Sequence, residues 1–126
     1  MKITGFRPLI VSKNSEDIVK LFEDLGFERR HKKTGINGED ISAVVMKDAN
    51  GFRVNVTQLD VIPQDITSIA MNVDNFEEAY EFLTAHGFKN AQGDKVTDTG
   101  SSKATMMVSP TGFSISLSQH IKKEDR

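Results

Sequence analysis

Hydrophobic and polar positions fall into short blocks that switch between strand and helix periods. The run Ile3-Thr4-Gly5-Phe6-Arg7-Pro8-Leu9-Ile10-Val11 is bulky and β-branched enough to predict a strand, with Pro8 marking an edge or a bulge. Asn14 and Ser15 then offer N-caps, and Glu16 and Asp17 suit the positive end of a helix dipole. Ile18, Leu21, Phe22 and Leu25 follow at helical spacing, which predicts one buried helical face, and Gly26 supplies the left-handed residue that ends it. After Phe27 come a polar strand, an Asn37-Gly38 turn, a strand from about Ile41 to Lys47, a turn at Asn50-Gly51 and a strand from Phe52 to Gln58.

The order then returns. Ile66 to Val73 reads as a strand and about Asn75 to His86 as a helix, with Asn75 and Glu78 spaced as a capping box and Gly87 as the stop. Strands are expected near Phe88 to Thr97, Lys103 to Ser109 and Phe113 to Gln119. Leu21 to Phe27 matches Phe82 to Phe88, and Asn50 to Val56 matches Thr111 to Leu117, both at a separation of 61 residues. One supersecondary unit, β-α-β-β-β, therefore occurs twice, in modules spanning about residues 1–60 and 65–120 of a single domain of α+β class. The connection from Leu59 to Asp65 is too short to be a domain linker.

Strand alternation assigns the faces. Phe113, Ile115 and Leu117 alternate with Ser114, Ser116 and Ser118, so the apolar set meets the helix and the serines look into the space shared with the first module. The same parity makes Val54 and Val56 core and turns Arg53, Asn55 and Thr57 toward that space.

Composition narrows the chemistry. At 126 residues the chain can bury a core without staples, and a net charge of −2 with no basic stripe leaves no footprint for nucleic acid or an anionic membrane surface. Arg29-Arg30-His31-Lys32-Lys33 reads as a solvated strand flanked by acidic residues. Cysteine is absent, which excludes disulfides, thiolate metal sites and a cysteine nucleophile. No apolar run approaches the roughly 20 residues of a membrane span and no signal-peptide pattern is present, so the expected location is cytoplasmic.

The tandem unit, with Leu25-Gly26-Phe27-Glu28 closing its first helix and a Gly-x-x-apolar-polar-apolar last strand, resembles the vicinal oxygen chelate superfamily from Ile3 to His120. That group contains glyoxalase I, extradiol dioxygenases, fosfomycin-resistance enzymes, methylmalonyl-CoA epimerase and bleomycin-binding resistance proteins. The resemblance implies a curved sheet or cup and, in the enzymes, one metal ligand from the first and one from the last strand of each module. Matching positions here are Asn55 and Ser116 in the last strands and Ser68 in the first strand of the second module. In the first module the match is Phe6 when counted from Val11 and Arg7 when counted back from the helix, because the strand-to-helix connection reads as one residue longer than its counterpart. Phe6 has no lone pair, Arg7 is a permanent cation, Asn55 is a weak carbonyl ligand, and two serines would have to ionise. No metal and no cofactor are therefore expected.

The expected lining of the cup is Phe6 or Arg7 with Arg53, Asn55, Thr57, Ser68, Ala70, Asn72, Ser114, Ser116 and Ser118, polar and nearly uncharged. Such a surface can hydrogen-bond a small polar or anionic ligand, with an arginine pairing to a carboxylate or phosphate. Serine and threonine are equally at home on the solvated face of an antiparallel sheet, so a water-filled cup is the plain alternative. Three functions remain: metal-free sequestration of a small molecule, a glyoxalase-type enzyme with ligands displaced to Gln58, Gln119, Glu28 or His120, and a non-catalytic interaction module. A homodimer is expected in each case.

Overall fold

The computed structural model describes residues 1–33 and 42–120. Among them nine strands and two helices form an α+β fold: β1 (Ile3–Ser12), α1 (Ser15–Asp24), β2 (Glu28–Lys33), β3 (Ser42–Lys47), β4 (Arg53–Gln58), β5 (Ile66–Val73), α2 (Phe76–Ala85), β6 (Lys89–Asn90), β7 (Thr97–Asp98), β8 (Ser102–Val108) and β9 (Ser114–His120). The predicted Asn37-Gly38 turn lies outside the described residues. The chain divides into two compact units, residues 7–68 and residues 1–6 with 69–126.

In the unit of residues 7–68 the strand order is β2-β3-β4-β1. β1 runs parallel to β4, with Leu9 beside Asn55, Ile10 beside Val56 and Val11 beside Thr57, while β3 is antiparallel to both β2 and β4. The parallel pair needs a long crossover, and α1 with the β2-β3 hairpin supplies it. The core consists of Val19 from α1 against Val44, Met46, Val54 and Val56, with Ile10, Ile18, Phe22 and Phe27 packed around them. The predicted helical face is thereby corrected. Val19 is 1% exposed, whereas Leu21 and Leu25 are 52% and 64% exposed. A ten-residue helix lying on a flat sheet buries a narrow stripe, and that stripe runs through Ile18, Val19 and Phe22 rather than through the outer leucines.

In the other unit the order is β5-β9-β8-β6, with β7 also on β8. β5 and β9 are parallel and place Ala70 beside Ser116 and Asn72 beside Ser118. Phe76, Ala79 and Leu83 of α2 cover Met71, Val73, Met107, Ile115 and Leu117. Met46 and Met107, 61 positions apart, are both 0% exposed and fill the same place in the two cores. The single strand expected near residues 88–97 is instead two-residue β6, a turn and two-residue β7. Its physical cause is Thr105, which stands buried where the first unit has Val44: its hydroxyl donates to Asn90 Oδ1 and accepts from Gln92 Nε2 at 3.1 Å, so these side chains fold the chain back over β8.

Equivalent glutamines fasten each helix to its sheet. Gln58 Oε1 accepts the Ser15 N–H at 2.9 Å while its Nε2 donates to Lys13 O at 2.6 Å. Gln119 repeats this 61 residues on, accepting from Phe76 N at 2.7 Å and donating to Asp74 O at 3.0 Å. Asn14 makes no side-chain cap to α1, so Gln58 takes over that role. Asn75 does cap α2, accepting from Glu78 N at 3.1 Å, but the Glu78 carboxylate is drawn instead to the Met1 amine and only half of the expected capping box forms. Gly26 and Gly87 end the helices at φ of 106° and 90°, and a Cβ on Gly87 would also stand 3.2 Å from Pro110 Cγ.

Gln58→Ala and Gln119→Ala should each cost about 1–2 kcal/mol, through the lost side-chain bonds and the orphaned helix N–H. Urea unfolding should show a lower midpoint at unchanged slope. Gly87→Ala should cost about 1 kcal/mol or more and exceed Gly26→Ala, since only Gly87 adds a steric contact to the strained backbone.

Candidate functional site

The strand faces turned away from the helices hold the residues singled out from the sequence. Because Val54 and Val56 pack under α1, Arg53, Asn55 and Thr57 emerge on the opposite face of β4. The β1 register puts Leu9 beside Asn55 and Val11 beside Thr57, and alternation carries Arg7 to that same face. Strand ends at Ser12 and Val73 and helix starts at Ser15 and Phe76 are both 61 residues apart, so the two connections are equal in length. The expected extra residue is absent, Arg7 is the counterpart of Ser68, and the choice between Phe6 and Arg7 falls to Arg7. Phe6 alternates away from Arg7 and is 62% exposed.

Arg7, Arg53, Asn55 and Thr57 thus share one face of one unit. Burial and then the Arg53 charge lower the Arg7 guanidinium from its ordinary value. β3 adds Lys47 beside Arg53, making a row of three cations on adjacent strands, and Glu28 lies at the row's outer end beside Lys47. Among the described residues neither Arg7 nor Arg53 has a carboxylate partner, whereas Arg29 binds Glu16 at 2.6 Å and Glu23 at 3.1 Å, and Arg30 reaches Glu28 at 3.7 Å. Asn55 Oδ1 is buried without a hydrogen-bond partner. A buried acceptor left so costs about 1–3 kcal/mol, a penalty that a donor placed there would remove.

In the other unit Asn72, Ser114, Ser116 and Ser118 share the face opposite α2. Ser118 Oγ donates to Asn72 Oδ1, so two of the expected lining residues satisfy each other. Ser114 is buried, as is Ser68, the last residue of the 7–68 unit. At the matching positions Arg7, Arg53, Asn55 and Thr57 are replaced by Ser68, Ser114, Ser116 and Ser118, so the repeated framework carries charge on one copy and hydroxyls on the other.

No protein-family model matches the chain, and no curated protein matches it. Solved structures do. Methylmalonyl-CoA epimerase from Mycobacterium tuberculosis superposes with a TM-score of 0.72 at 14% identity, over 97% of this chain and 91% of that one. A glyoxalase/bleomycin resistance protein/dioxygenase superfamily member from Vibrio splendidus 12B01 gives 0.62 at 16% identity, over 94% and 99%. A glyoxalase I mutant from Zea mays gives 0.70 at 16% identity, over 94% of this chain and 44% of that one. The fold is that of the vicinal oxygen chelate superfamily.

Within the vicinal oxygen chelate fold, the four positions at which the resemblance implies metal ligands are Arg7, Asn55, Ser68 and Ser116. They do not fit a divalent ion, since one is a permanent cation, two are hydroxyls and one is an amide. The glutamines considered as displaced ligands, Gln58 and Gln119, have both side-chain groups committed at the helix N-termini. His86 stacks on Phe82 at 4.6 Å at the end of α2. Among the described residues no group of three or more His, Asp or Glu is placed to hold a metal, and no helix is long and apolar enough to cross a membrane.

The sequence reading missed a cavity of about 520 Å³ beside α2. Phe76, Tyr80 and Val96 form its apolar part, and Glu81, Asp94 and Asp98 its acidic part. Lys103 Nζ donates to Glu77 at 2.7 Å there and holds that carboxyl below its ordinary value. Glu77 and Glu81 at i and i+4 were the available signal, but the wall is completed by a loop that Asn90 and Thr105 hold in place.

If Arg7 and Arg53 repel each other as their placement requires, wild-type stability should rise with sodium chloride by roughly 0.2–1 kcal/mol, the scale of cross-strand charge pairs. Arg53→Gln should remove most of that salt dependence without lowering stability at low salt, as read by urea unfolding at low and high ionic strength.

Proposed function

We propose that this chain is a metal-independent binding protein for a small polar organic molecule, held on the strand face that carries Asn55. The observation that carries this reading is the buried, unpartnered Asn55 Oδ1 at a position where the fold's enzymes would need a metal-ligating side chain. An acceptor withdrawn from water without a partner is costly, and a ligand hydroxyl or N–H repays it. Thr57 and Arg53, two residues to either side on the same face, supply a hydroxyl and a cation for the rest of such a molecule. The donor chemistry of Arg7, Ser68 and Ser116 supports the metal-free form, and the use of Gln58 and Gln119 as helix clamps weakens the reading of an enzyme with displaced ligands.

A homodimer accompanies this proposal. Leu21 and Leu25, one turn apart on α1, are both exposed and offer an apolar pair for a second copy to cover. Sedimentation should give a species of twice the 14.0 kDa chain mass, and Leu25→Lys should return it to the monomer.

Chelator-treated protein should melt at the same temperature with and without saturating nickel, zinc, manganese or ferrous iron. A metal held at ~100 times its dissociation constant would add roughly 2.7 kcal/mol, a rise of about 4 °C or more for a domain of this size. Such a rise would return the metal-enzyme reading. A screen of small polar organic molecules should yield compounds that raise the melting temperature of wild type and fail to do so for Asn55→Leu, which removes the acceptor and keeps the branched shape.

A further inference from the structure

The described arginines of the 7–68 unit divide into two kinds. Arg29 and Arg30 lie against carboxylates, and their charges are accounted for within the fold. Arg7 and Arg53 stand on adjacent strands, on one face, with no described carboxylate to pair with and with Lys47 next in the row. Glu28, the acidic residue at the end of that row, is engaged by Arg30. On the same face Leu9 and Val45 flank Asn55, apolar side chains that thin the water there and strengthen a hydrogen bond to its oxygen. A fold gains nothing from holding two guanidinium groups together in such a setting. An anion bridging them turns mutual repulsion into two attractions, and the planar fork of arginine matches a carboxylate or phosphate in particular. Next to this pair, on the same strand as Arg53, lies the one buried side-chain oxygen without a partner among the described residues, and it can only accept.

Resting on the reading of this face as a binding site, we propose that Arg7 and Arg53 receive the oxyanion of a small organic acid, a carboxylate or a phosphate ester, while Asn55 accepts a hydrogen bond from a hydroxyl or N–H group of the same molecule. The ligand class is thereby an acid that carries its own donor close to the anionic group. Neutral polyols lack the first requirement, chloride, sulfate and acetate the second, and organic cations are repelled. The hydroxyl-bearing copy of the framework, with Ser68, Ser114, Ser116 and Ser118 at the matching positions, has no such pair, so the assignment is confined to one unit.

The test is a titration of isotopically labelled protein followed through the arginine Nε–H and asparagine side-chain amide resonances. Sodium phosphate, sodium acetate, sodium glycolate and glycerol are added against sodium chloride at matched ionic strength. The expected result is a saturable shift of both Arg7 and Arg53 with phosphate, acetate or glycolate, joined by Asn55 with glycolate, whose hydroxyl lies next to its carboxylate, and not with acetate. Saturation by phosphate alone assigns a phosphate ester, and saturation by the carboxylates alone assigns a carboxylic acid. Arg53→Gln, an exposed change that leaves the core untouched, should weaken the oxyanion at least tenfold, and Glu81→Gln in the acidic cavity should leave it unchanged. Arginine shifts no different from those in chloride would overturn the oxyanion assignment. If glycerol nevertheless moves Asn55, the polar-molecule site survives without it; if no probe moves Asn55 and a divalent metal raises the melting temperature, the underlying reading falls as well.

Discussion

Each half of this molecule hangs on a glutamine. An isolated ten-residue helix is marginal in water, and α1 and α2 persist because an apolar stripe rests on a sheet and because the exposed N–H groups at their starts find acceptors. Gln58 and Gln119 supply those acceptors from the last strand of each unit and, through their amide N–H groups, also grip the carbonyl just before the helix. One side chain therefore sets where the helix begins relative to the strand beneath it. Once that register is set, Val54 and Val56, or Ile115 and Leu117, have only one face to bury, and their neighbours have only the other to occupy.

The clamp is conserved between the two halves in a way that the opposite face is not. Met46 and Met107, Gly26 and Gly87, and the turns at Asp48 and Ser109 perform the same tasks 61 residues apart. Arg7, Arg53 and Asn55 against Ser68, Ser114 and Ser116 share positions and little of their chemistry, and only Thr57 and Ser118 keep a hydroxyl in common. A scaffold specified by packing under its helices leaves the opposite strand face free to differ, which is why fold and chemistry separate here. The likeness to epimerase and glyoxalase structures at 14–16% identity belongs to the packing side of that division.

Much of this was legible along the chain. The alternation in β4 and β9, the glycine stops and the common spacing carried the order of elements and the facing of Arg53, Asn55 and Ser116, because each is a local consequence of period or backbone freedom. What stayed hidden depends on distant groups. Helical spacing placed Leu21 and Leu25 on a buried face, but spacing does not say which third of a helix the sheet will cover. The residues near 88–97 read as one strand, but Asn90, bonded to Gln92 N and Lys95 O and held by the buried hydroxyl of the distant Thr105, turns the chain there. Gln58 and Gln119 read as possible metal donors because their partners lie 43 and 45 residues away. The Phe6 or Arg7 ambiguity came from matching Val11 with Val73, where the strand ends show that Ser12 is the true counterpart.

The boundary between the compact units does not follow the duplication. Residues 7–68 are continuous in sequence, while residues 1–6 belong with residue 69 onward, and the Lys2 backbone exchanges hydrogen bonds with Asp74, 72 positions away. During synthesis the continuous unit has all its parts together as soon as Ser68 emerges, and its longest closure is the crossover that pairs β1 with β4. The first six residues, made earlier still, have to wait for a partner that is made after an entire unit has passed. Two copies of one architecture are thus wired differently, one continuous along the chain and the other closed by a segment that lies on the far side of its neighbour in sequence.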